Sequence, residues 1–233
     1  MPGLELSLRL KTIADYIPTG SRVIDVGTDH GYLPAYLAID KRCSGIIASD
    51  LRRGPLDHAR QTAEELGLTN DRDLRLAPGL EGVSPDEVDT IVISGMGGET
   101  IISILEAAPW VHDNKRLILQ PQSKLEDFRL WLAKNDFITL DEKLIYEAGK
   151  YYFCFLIEHG KTEEPDLPRQ YFGAALQGKT ELELQYLEDY RKRIIGAYNG
   201  MLSAENACGE RLETCRKLFE FLNNYLEENH ADD

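Results

Sequence analysis

Short apolar segments alternate with amphipathic segments along residues 1–160. The apolar segments predict five strands, at 22–26, 45–49, 74–76, 90–94 and 116–119. Apolar residues at helical spacing predict one helix ending at residue 17 and further helices at 33–39, 55–66, 99–105 and 125–134. This order is typical of a parallel sheet with helices on both faces.

Two further apolar segments, 137–146 and 151–157, end this part of the chain. The segment 147–150 between them is long enough for a hairpin turn and too short for a crossover helix. The expected fold is therefore α/β and Rossmann-like, with a parallel sheet that ends in an antiparallel hairpin.

The remainder of the chain has a helical pattern. The segment 161–166 is polar, contains proline and has no periodicity, so we place a boundary there between two domains, 1–160 and 161–233. Thr180 and Glu183 form a capping box. Two apolar ladders follow: Leu184, Leu187, Ile194, Tyr198 and Met201, then Cys208, Leu212, Cys215, Phe219, Leu222 and Leu226. They predict a coiled-coil hairpin with a turn near 200–203, serving as a dimer contact, a substrate arm or a cover for the sheet.

The turn after the first strand has the pattern Asp25-x-Gly27-x-Asp29-x-Gly31, and Asp50 ends the second strand. Glycines let the backbone approach a ligand, and an acid at the second strand end receives ribose hydroxyls. A diphosphate would be repelled by these carboxylates, which favours a nucleoside cofactor without pyrophosphate. S-adenosylmethionine, with its sulfonium and ammonium groups, suits them. The alternative is a tight structural turn without a ligand.

The composition is that of a globular protein, with 42% hydrophobic and 28% charged residues in a chain of 233. No apolar segment approaches the roughly 20 residues that a membrane helix needs, so we expect no membrane insertion. The amino terminus lacks a basic region followed by an apolar segment. We therefore expect no secretory signal and a cytoplasmic location.

The spacing of cysteines and histidines does not indicate a metal site. The four cysteines include no Cys-x-x-Cys pair, and the five histidines include no His-Glu-x-x-His. We expect reduced thiols and no bound metal.

The formal net charge of −14 is unfavourable for nucleic-acid binding, because phosphate contacts need a basic surface. Basic residues are nevertheless clustered. Arg52 and Arg53 follow the second strand, and Arg191, Lys192 and Arg193 form a run in the helical region. These clusters are candidate RNA-binding residues, and the alternative is that they are solvated helix faces.

Three strings carry a resemblance to a known family: Asp-Val-Gly-Thr-Asp-His-Gly-Tyr-Leu-Pro at 25–34, Ser-Gly-Met-Gly-Gly at 94–98 and Gln-Pro-Gln at 120–122. With them the whole chain resembles the TrmK-type bacterial tRNA (adenine-N1)-methyltransferases. The resemblance implies a class I methyltransferase fold with a C-terminal coiled coil, S-adenosylmethionine as cofactor, and methylation of N1 of adenosine 22 in tRNA. The implied cofactor residues are Asp25, Gly27, Asp29, His30, Asp50, Gly79, Ser94, Gly95, Met96, Gly97 and Gly98.

Attack by adenine N1 on a sulfonium methyl group needs alignment more than a general base. Because methylation leaves the base cationic, a nearby carboxylate would be stabilising, and Asp29 is our candidate. Tyr32 and Tyr36 follow the cofactor turn and could stack on the base, although Tyr36 equally suits helix packing. Gln120 and Gln122 could hydrogen-bond the pairing edge of adenine, or alternatively their own loop.

The residues after the fourth strand bear on which atom of adenine is methylated. Enzymes that methylate the exocyclic amine often carry Asp/Asn-Pro-Pro-Tyr after the fourth strand, whereas this chain has Ser-Gly-Met-Gly at 94–97, which favours N1.

Two other functions fit the same residues. A methyltransferase that acts on a small molecule would suit the acidic composition better. A non-catalytic nucleoside-binding module, whose coiled coil recruits a protein partner, is the second alternative. The sequence does not fix the oligomeric state.

Overall fold

The computed structural model describes residues 4–68, 73–178, 180–202 and 209–230. The chain divides into two compact units, Met1–Glu164 and Pro165–Asp233. The division falls within the polar segment 161–166. None of the helices in the described ranges is both long and apolar enough to cross a membrane.

The first unit is built on a seven-stranded sheet. Its strands are β1 Arg22–Val26, β2 Gly45–Asp50, β3 Asp73–Leu76, β4 Thr90–Met96, β5 Arg116–Pro121, β6 Phe137–Glu147 and β7 Lys150–His159. They lie in the order β3-β2-β1-β4-β5-β7-β6. The first five strands pair in parallel, and β7 pairs antiparallel with both β5 and β6. This arrangement confirms the predicted fold class.

Within the described part of this unit, five α-helices accompany the sheet: α1 Leu8–Tyr16, α2 Tyr32–Asp40, α3 Arg53–Glu65, α4 Gly98–Glu106 and α5 Leu125–Lys134. The Ser7 side chain caps α1 by accepting a hydrogen bond from the Leu10 amide. Gly31 precedes α2 with a left-handed φ of 66°. Both α2 and α3 therefore begin directly at turns that follow strands, slightly earlier than predicted.

The central strands are apolar because both faces of the sheet are covered. Ile24, Ile91 and Leu117, one from each of three adjacent strands, have no exposed surface. On one face, α1 and α2 contribute Ile13 and Leu37 to a cluster of buried side chains. Continuous burial explains why these strands show apolar runs rather than alternation.

The β6–β7 hairpin turns at Ala148 and Gly149, which have φ angles of 49° and 77°. Two successive positive φ angles match the right-handed twist of the strands, as in a type I′ turn. The hairpin extends to Glu147, so it brings that side chain to the edge of the sheet where β1 and β4 end.

The second unit contains α6 Leu167–Phe172, a 3₁₀ segment Gly173–Gln177, α7 Glu181–Leu202 and α8 Glu210–His230. The predicted capping box at the start of α7 is present: Glu183 accepts from the Thr180 amide at 2.9 Å, and Thr180 Oγ1 accepts from the Glu183 amide at 3.2 Å. Helices α7 and α8 pair with each other. Cys208 and residue 203 of the predicted turn lie outside the described residues.

The apolar seam of α8 differs from the predicted ladder, in which Leu212 and Cys215 are only half-buried. Leu218, Leu222 and Leu226 are buried, whereas Phe219 is half-buried. On the same helix, Phe221 stacks on Phe172 of α6 with ring centroids 6.2 Å apart. Helix α8 packs on α6 as well as on α7. Its buried positions therefore differ from those expected for a coiled coil of two helices.

Candidate cofactor and substrate cleft

A cleft of about 590 Å³ lies at the carboxyl ends of β1 and β4. These neighbouring strands are where the strand order reverses, and ligands of open α/β sheets bind at such points. The lining residues are Ser7, Arg9, Leu10, Asp25, Gly27, Thr28, Asp29, His30, Tyr32, Leu33, Asp50, Arg52, Ser94, Gly95, Met96, Gln122 and Glu147. The structure thus brings together most of the residues that the sequence singles out.

Asp25 forms the floor of this cleft. It lies one residue before the end of β1 with only 5% of its surface exposed, and its carboxylate accepts a hydrogen bond of 2.8 Å from Thr28 Oγ1. Burial raises the pKa of Asp25 to about 6, the nearby Asp50 carboxylate adds to the rise, and the Thr28 hydrogen bond opposes it. A cationic ligand group beside Asp25 would offset the cost of burying its charge.

Asp50 ends β2 beside this floor and is 7% exposed. One carboxylate oxygen accepts a hydrogen bond of 2.8 Å from the Arg52 amide. The Arg52 guanidinium is 3.9 Å from the same oxygen, but 78% of that side chain is exposed. Asp50 is therefore held in place by the following turn, where a ribose hydroxyl could donate to it.

The turn at Gly27 requires glycine. Its φ is 74°, and its amide donates to the Ser49 carbonyl of β2 at 2.8 Å. A Cβ at this position would lie 2.2 Å from Met96 Cε, at the end of β4. The absence of a side chain lets the β1 turn and the end of β4 approach each other across the cleft.

The mouth of the cleft is formed by Asp29, His30 and Tyr32, which are exposed. The His30 ring stacks on Tyr32 at 5.5 Å and on His58 of α3 at 4.9 Å. Tyr36, by contrast, packs against the core cluster under α2. Of the two predicted stacking tyrosines, only Tyr32 lines the cleft.

Gln120 is not on the cleft surface, in contrast to the sequence expectation. It has no exposed surface, and its Oε1 accepts hydrogen bonds of 3.2 Å from the Gly95 amide and from Arg9 Nη1. Its Nε2 donates to the Pro121 carbonyl. Because the amide is buried and its oxygen accepts both bonds, Gln120 holds Gly95 near the end of β4 and does not face a base in the cleft. Gln122 is exposed and lines the cleft.

Three predicted cofactor glycines and one arginine, namely Gly79, Gly97, Gly98 and Arg53, lie outside the cleft lining. The glycines serve packing. A Cβ on Gly98 would be 2.7 Å from the Ser123 carbonyl oxygen, and one on Gly79 would be 3.1 Å from the Ile104 side chain. Close approach of the Ser123 backbone accounts for glycine at position 98. The cofactor and RNA contacts expected of these four residues stay predictions.

Arg9 and Glu147 line the cleft without a sequence signal for either. The Arg9 amide donates to Glu147 Oε1 at 3.2 Å, and its guanidinium lies 5.0 Å from the Tyr152 ring. Together with its bond to Gln120, Arg9 links α1, the hairpin and β5. These elements are far apart in sequence, so periodicity could not have revealed the link.

The basic run of α7 is paired within its own unit. Arg191 contacts Glu188 at 2.8 Å and Asn223 of α8 at 3.3 Å. Lys192 pairs with Asp189 at 3.2 Å, and the Arg193 guanidinium lies 4.6 Å from the Tyr190 ring. Lys192 and Arg193 are exposed. Their contact with RNA stays a prediction.

A sheet in this strand order, closed by an antiparallel hairpin and with an acid-floored cleft at its switch point, defines a class I methyltransferase. Residues 6–155 match the family model of the methyltransferase domain. The chain is 40% identical over 161 residues to the tRNA (adenine(22)-N(1))-methyltransferase of Bacillus subtilis, across 69% of this chain and 68% of that protein. The chain belongs to the bacterial tRNA (adenine(22)-N(1))-methyltransferase family, as its sequence motifs indicated.

Solved structures agree over nearly the whole chain. The B. subtilis m1A22 tRNA methyltransferase TrmK has a TM-score of 0.82 at 31% identity, covering 97% of this chain and 99% of that one. M. capricolum TrmK in complex with the cofactor product S-adenosylhomocysteine has a TM-score of 0.80 at 28% identity, covering 95% and 98%.

Proposed function

We propose that this protein transfers a methyl group from S-adenosylmethionine to N1 of adenosine 22 in tRNA. The observation that carries the proposal is the acid-floored cleft at the switch point of a chain that is 40% identical to the B. subtilis enzyme of that name. The S-adenosylhomocysteine complex of M. capricolum TrmK supports the same cofactor. We further propose that the domains are residues 1–160, which hold the cofactor, and 161–233.

The cleft residues fit S-adenosylmethionine. Asp25 is a buried carboxylate without an ionic partner among the described residues, and a ligand ammonium or sulfonium beside it would stabilise its charge. Asp50 is placed for ribose hydroxyls, and Gly27 lines the same cleft. When bound, this cofactor supplies a methyl group activated by attachment to a positively charged sulfur.

Adenine N1 attacks with its own lone pair, so no side chain has to remove a proton beforehand. The protein's main contribution is alignment, which contributes roughly 7–11 kcal/mol when it is complete. As the bond from N1 to the methyl group forms, the bond from that group to sulfur would break and leave its electron pair on sulfur, so the positive charge would pass to the adenine ring. We assign Asp29, at the mouth, to stabilise that charge and Gln122 to hydrogen-bond the base.

N1 lies on the pairing edge of adenine, so the target must be unpaired or flipped out of its helix before it can react. Tyr32 presents an exposed ring at the cleft mouth, backed by His30. Stacking on this ring would offset part of the cost of extracting the base. We therefore assign Tyr32 to hold the target adenine.

The decisive experiment maps the product on RNA. Unmodified tRNA transcript is incubated with the protein and S-adenosylmethionine, and reverse transcription is read for a stop at nucleotide 22, since N1 methylation blocks pairing. A transcript with guanosine at that position is the matched control. Cofactor binding without any stop would overturn the proposal, and so would methyl transfer to a metabolite alone.

Charge reversal in the basic run of α7 tests RNA binding separately from methyl transfer. We expect Lys192→Glu with Arg193→Glu to weaken tRNA binding by about tenfold and to reduce the slope of log affinity against log salt by about 2. The exposed pair Lys41→Glu and Lys161→Glu, with the same change in net charge, is the control. Equal affinities of the two double variants would remove the α7 run from the RNA-binding surface.

A further inference from the structure

Three side chains at the cleft mouth form a cluster that includes Asp29, and His58 of this cluster has no role in the proposed reaction. Asp29, His30 and His58 place one carboxylate oxygen and two imidazole nitrogens within 4.8 Å of one another. Asp29 Oδ2 is 3.7 Å from His30 Nε2. Two imidazoles and a carboxylate are ligands typical of Zn²⁺ and related divalent transition metals, with water completing the coordination.

The backbone that carries the two histidines is held close by packing. A Cβ on Gly31 would lie 2.7 Å from Ala59 Cβ and 3.0 Å from Ala59 Cα, so the turn after β1 rests directly on α3. His30 and His58 are the residues adjacent to this contact. Their rings consequently lie face to face, 4.9 Å apart and 7° from parallel.

To coordinate one ion, the three side chains would have to rotate toward one another from their present separations of up to 4.8 Å. Nitrogen ligands around tetrahedral Zn²⁺, with bonds of about 2.1 Å, lie roughly 3.4 Å apart. The three side chains are exposed, so rotation meets little steric resistance. Because Gly31 and Ala59 fix the two backbones, much of the ordering that a metal site needs is already present in the fold.

We propose that Asp29, His30 and His58 bind one divalent transition-metal ion of the Zn²⁺ type at the mouth of the cleft. Asp29 and His30 also line the cleft, whereas His58 lies outside its lining. A metal ion would draw the first two side chains toward α3. Metal binding and ligand binding in the cleft are therefore coupled, and the coupling is reciprocal.

The direct test is titration calorimetry of the full-length, tag-free protein with Zn²⁺. We expect one saturable site per chain, weakened at least about tenfold in His58→Ala. His159→Ala, which removes another exposed histidine, is the matched control and should bind as the unmodified protein does. Unchanged Zn²⁺ affinity in His58→Ala, or no saturable binding to the unmodified protein, would overturn the proposal.

A second measurement makes the result independent of the methyltransferase proposal. Asp29→Asn should also weaken Zn²⁺ binding, and thermal unfolding will verify that both variants are folded. If S-adenosylhomocysteine binds, Zn²⁺ should lower its affinity for the unmodified protein and leave its affinity for His58→Ala unchanged. If S-adenosylhomocysteine does not bind, the proposed function alone is contradicted. If Zn²⁺ affects its binding equally in the unmodified protein and in His58→Ala, the coupling is contradicted.

Discussion

The floor and the mouth of the cleft use the same kind of residue in opposite environments. Asp25 and Asp50 on the floor are 5% and 7% exposed, whereas 69% of the Asp29 side chain at the mouth is exposed. A buried carboxylate interacts strongly with a small cationic ligand but destabilises the protein without it. An exposed one remains accessible to a macromolecular substrate. In the proposed function, buried carboxylates therefore bind the cofactor, and the exposed carboxylate at the mouth acts on the substrate.

The largest effect is expected from Asp50→Ala. Loss of hydrogen bonds between a ribose and a buried carboxylate costs about 1.5–3 kcal/mol, so S-adenosylhomocysteine affinity should fall by roughly 10- to 150-fold. Calorimetry measures this directly. Asp29→Asn, at the mouth, should bind the compound within about threefold of the unmodified protein, and equal losses in the two variants would abolish the distinction between floor and mouth.

Asp25→Asn should stabilise the ligand-free protein at pH 7 by about 1–3 kcal/mol. The folded pKa of about 6 lies above the ordinary value of 3.8, so the folded state binds the proton more tightly. The unmodified protein should therefore gain stability from this group as pH falls through 6 toward 4, and the variant should not. Urea unfolding of both at pH 7.5, 6 and 5 measures the difference. A variant that is less stable at pH 7.5 contradicts the argument.

Asp29→Asn should lower kcat for tRNA methylation by about tenfold while the KM for S-adenosylmethionine changes little. The reason is that the carboxylate acts on charge that develops only during the reaction. Single-turnover rates at saturating cofactor separate this effect from binding. An increase in KM with unchanged kcat would move Asp29 from the chemical step to cofactor binding.

Tyr32→Ala should raise the KM for tRNA about fivefold, since a half-exposed ring contributes about 1 kcal/mol by stacking. Tyr32→Phe keeps the ring and should behave as the unmodified protein does. Steady-state kinetics with tRNA as the varied substrate tests both. Equal effects of the two substitutions would indicate that the hydroxyl, and not stacking, is responsible.

The sequence predicted the sheet well because burial on both faces leaves a direct mark on composition. Ile24 and Ile91, for example, lie in apolar runs and have no exposed surface. The acidic floor was also predictable, since Asp25 and Asp50 end two of these runs. Family resemblance then supplied the reaction, which the residue pattern alone had left open between RNA and small molecules.

Contacts between distant segments account for what the sequence did not predict. Gln120 was expected at the substrate, but bonds to Arg9 and Gly95 turn its amide inward. His58 lies on a different element from His30, so no local spacing joins them. In each case the deciding neighbour comes from an element that folds back from elsewhere in the chain.

The hydrogen bond between Arg9 and Gln120 limits how far the amino-terminal end of this protein can be shortened. A fragment starting at Arg22 would retain all seven strands. It would lose the Arg9 guanidinium, which donates a hydrogen bond to the same Gln120 oxygen that accepts from the Gly95 amide. We expect a shortened version to stay active only if it begins ahead of Ser7, whose hydroxyl caps the helix that carries Arg9.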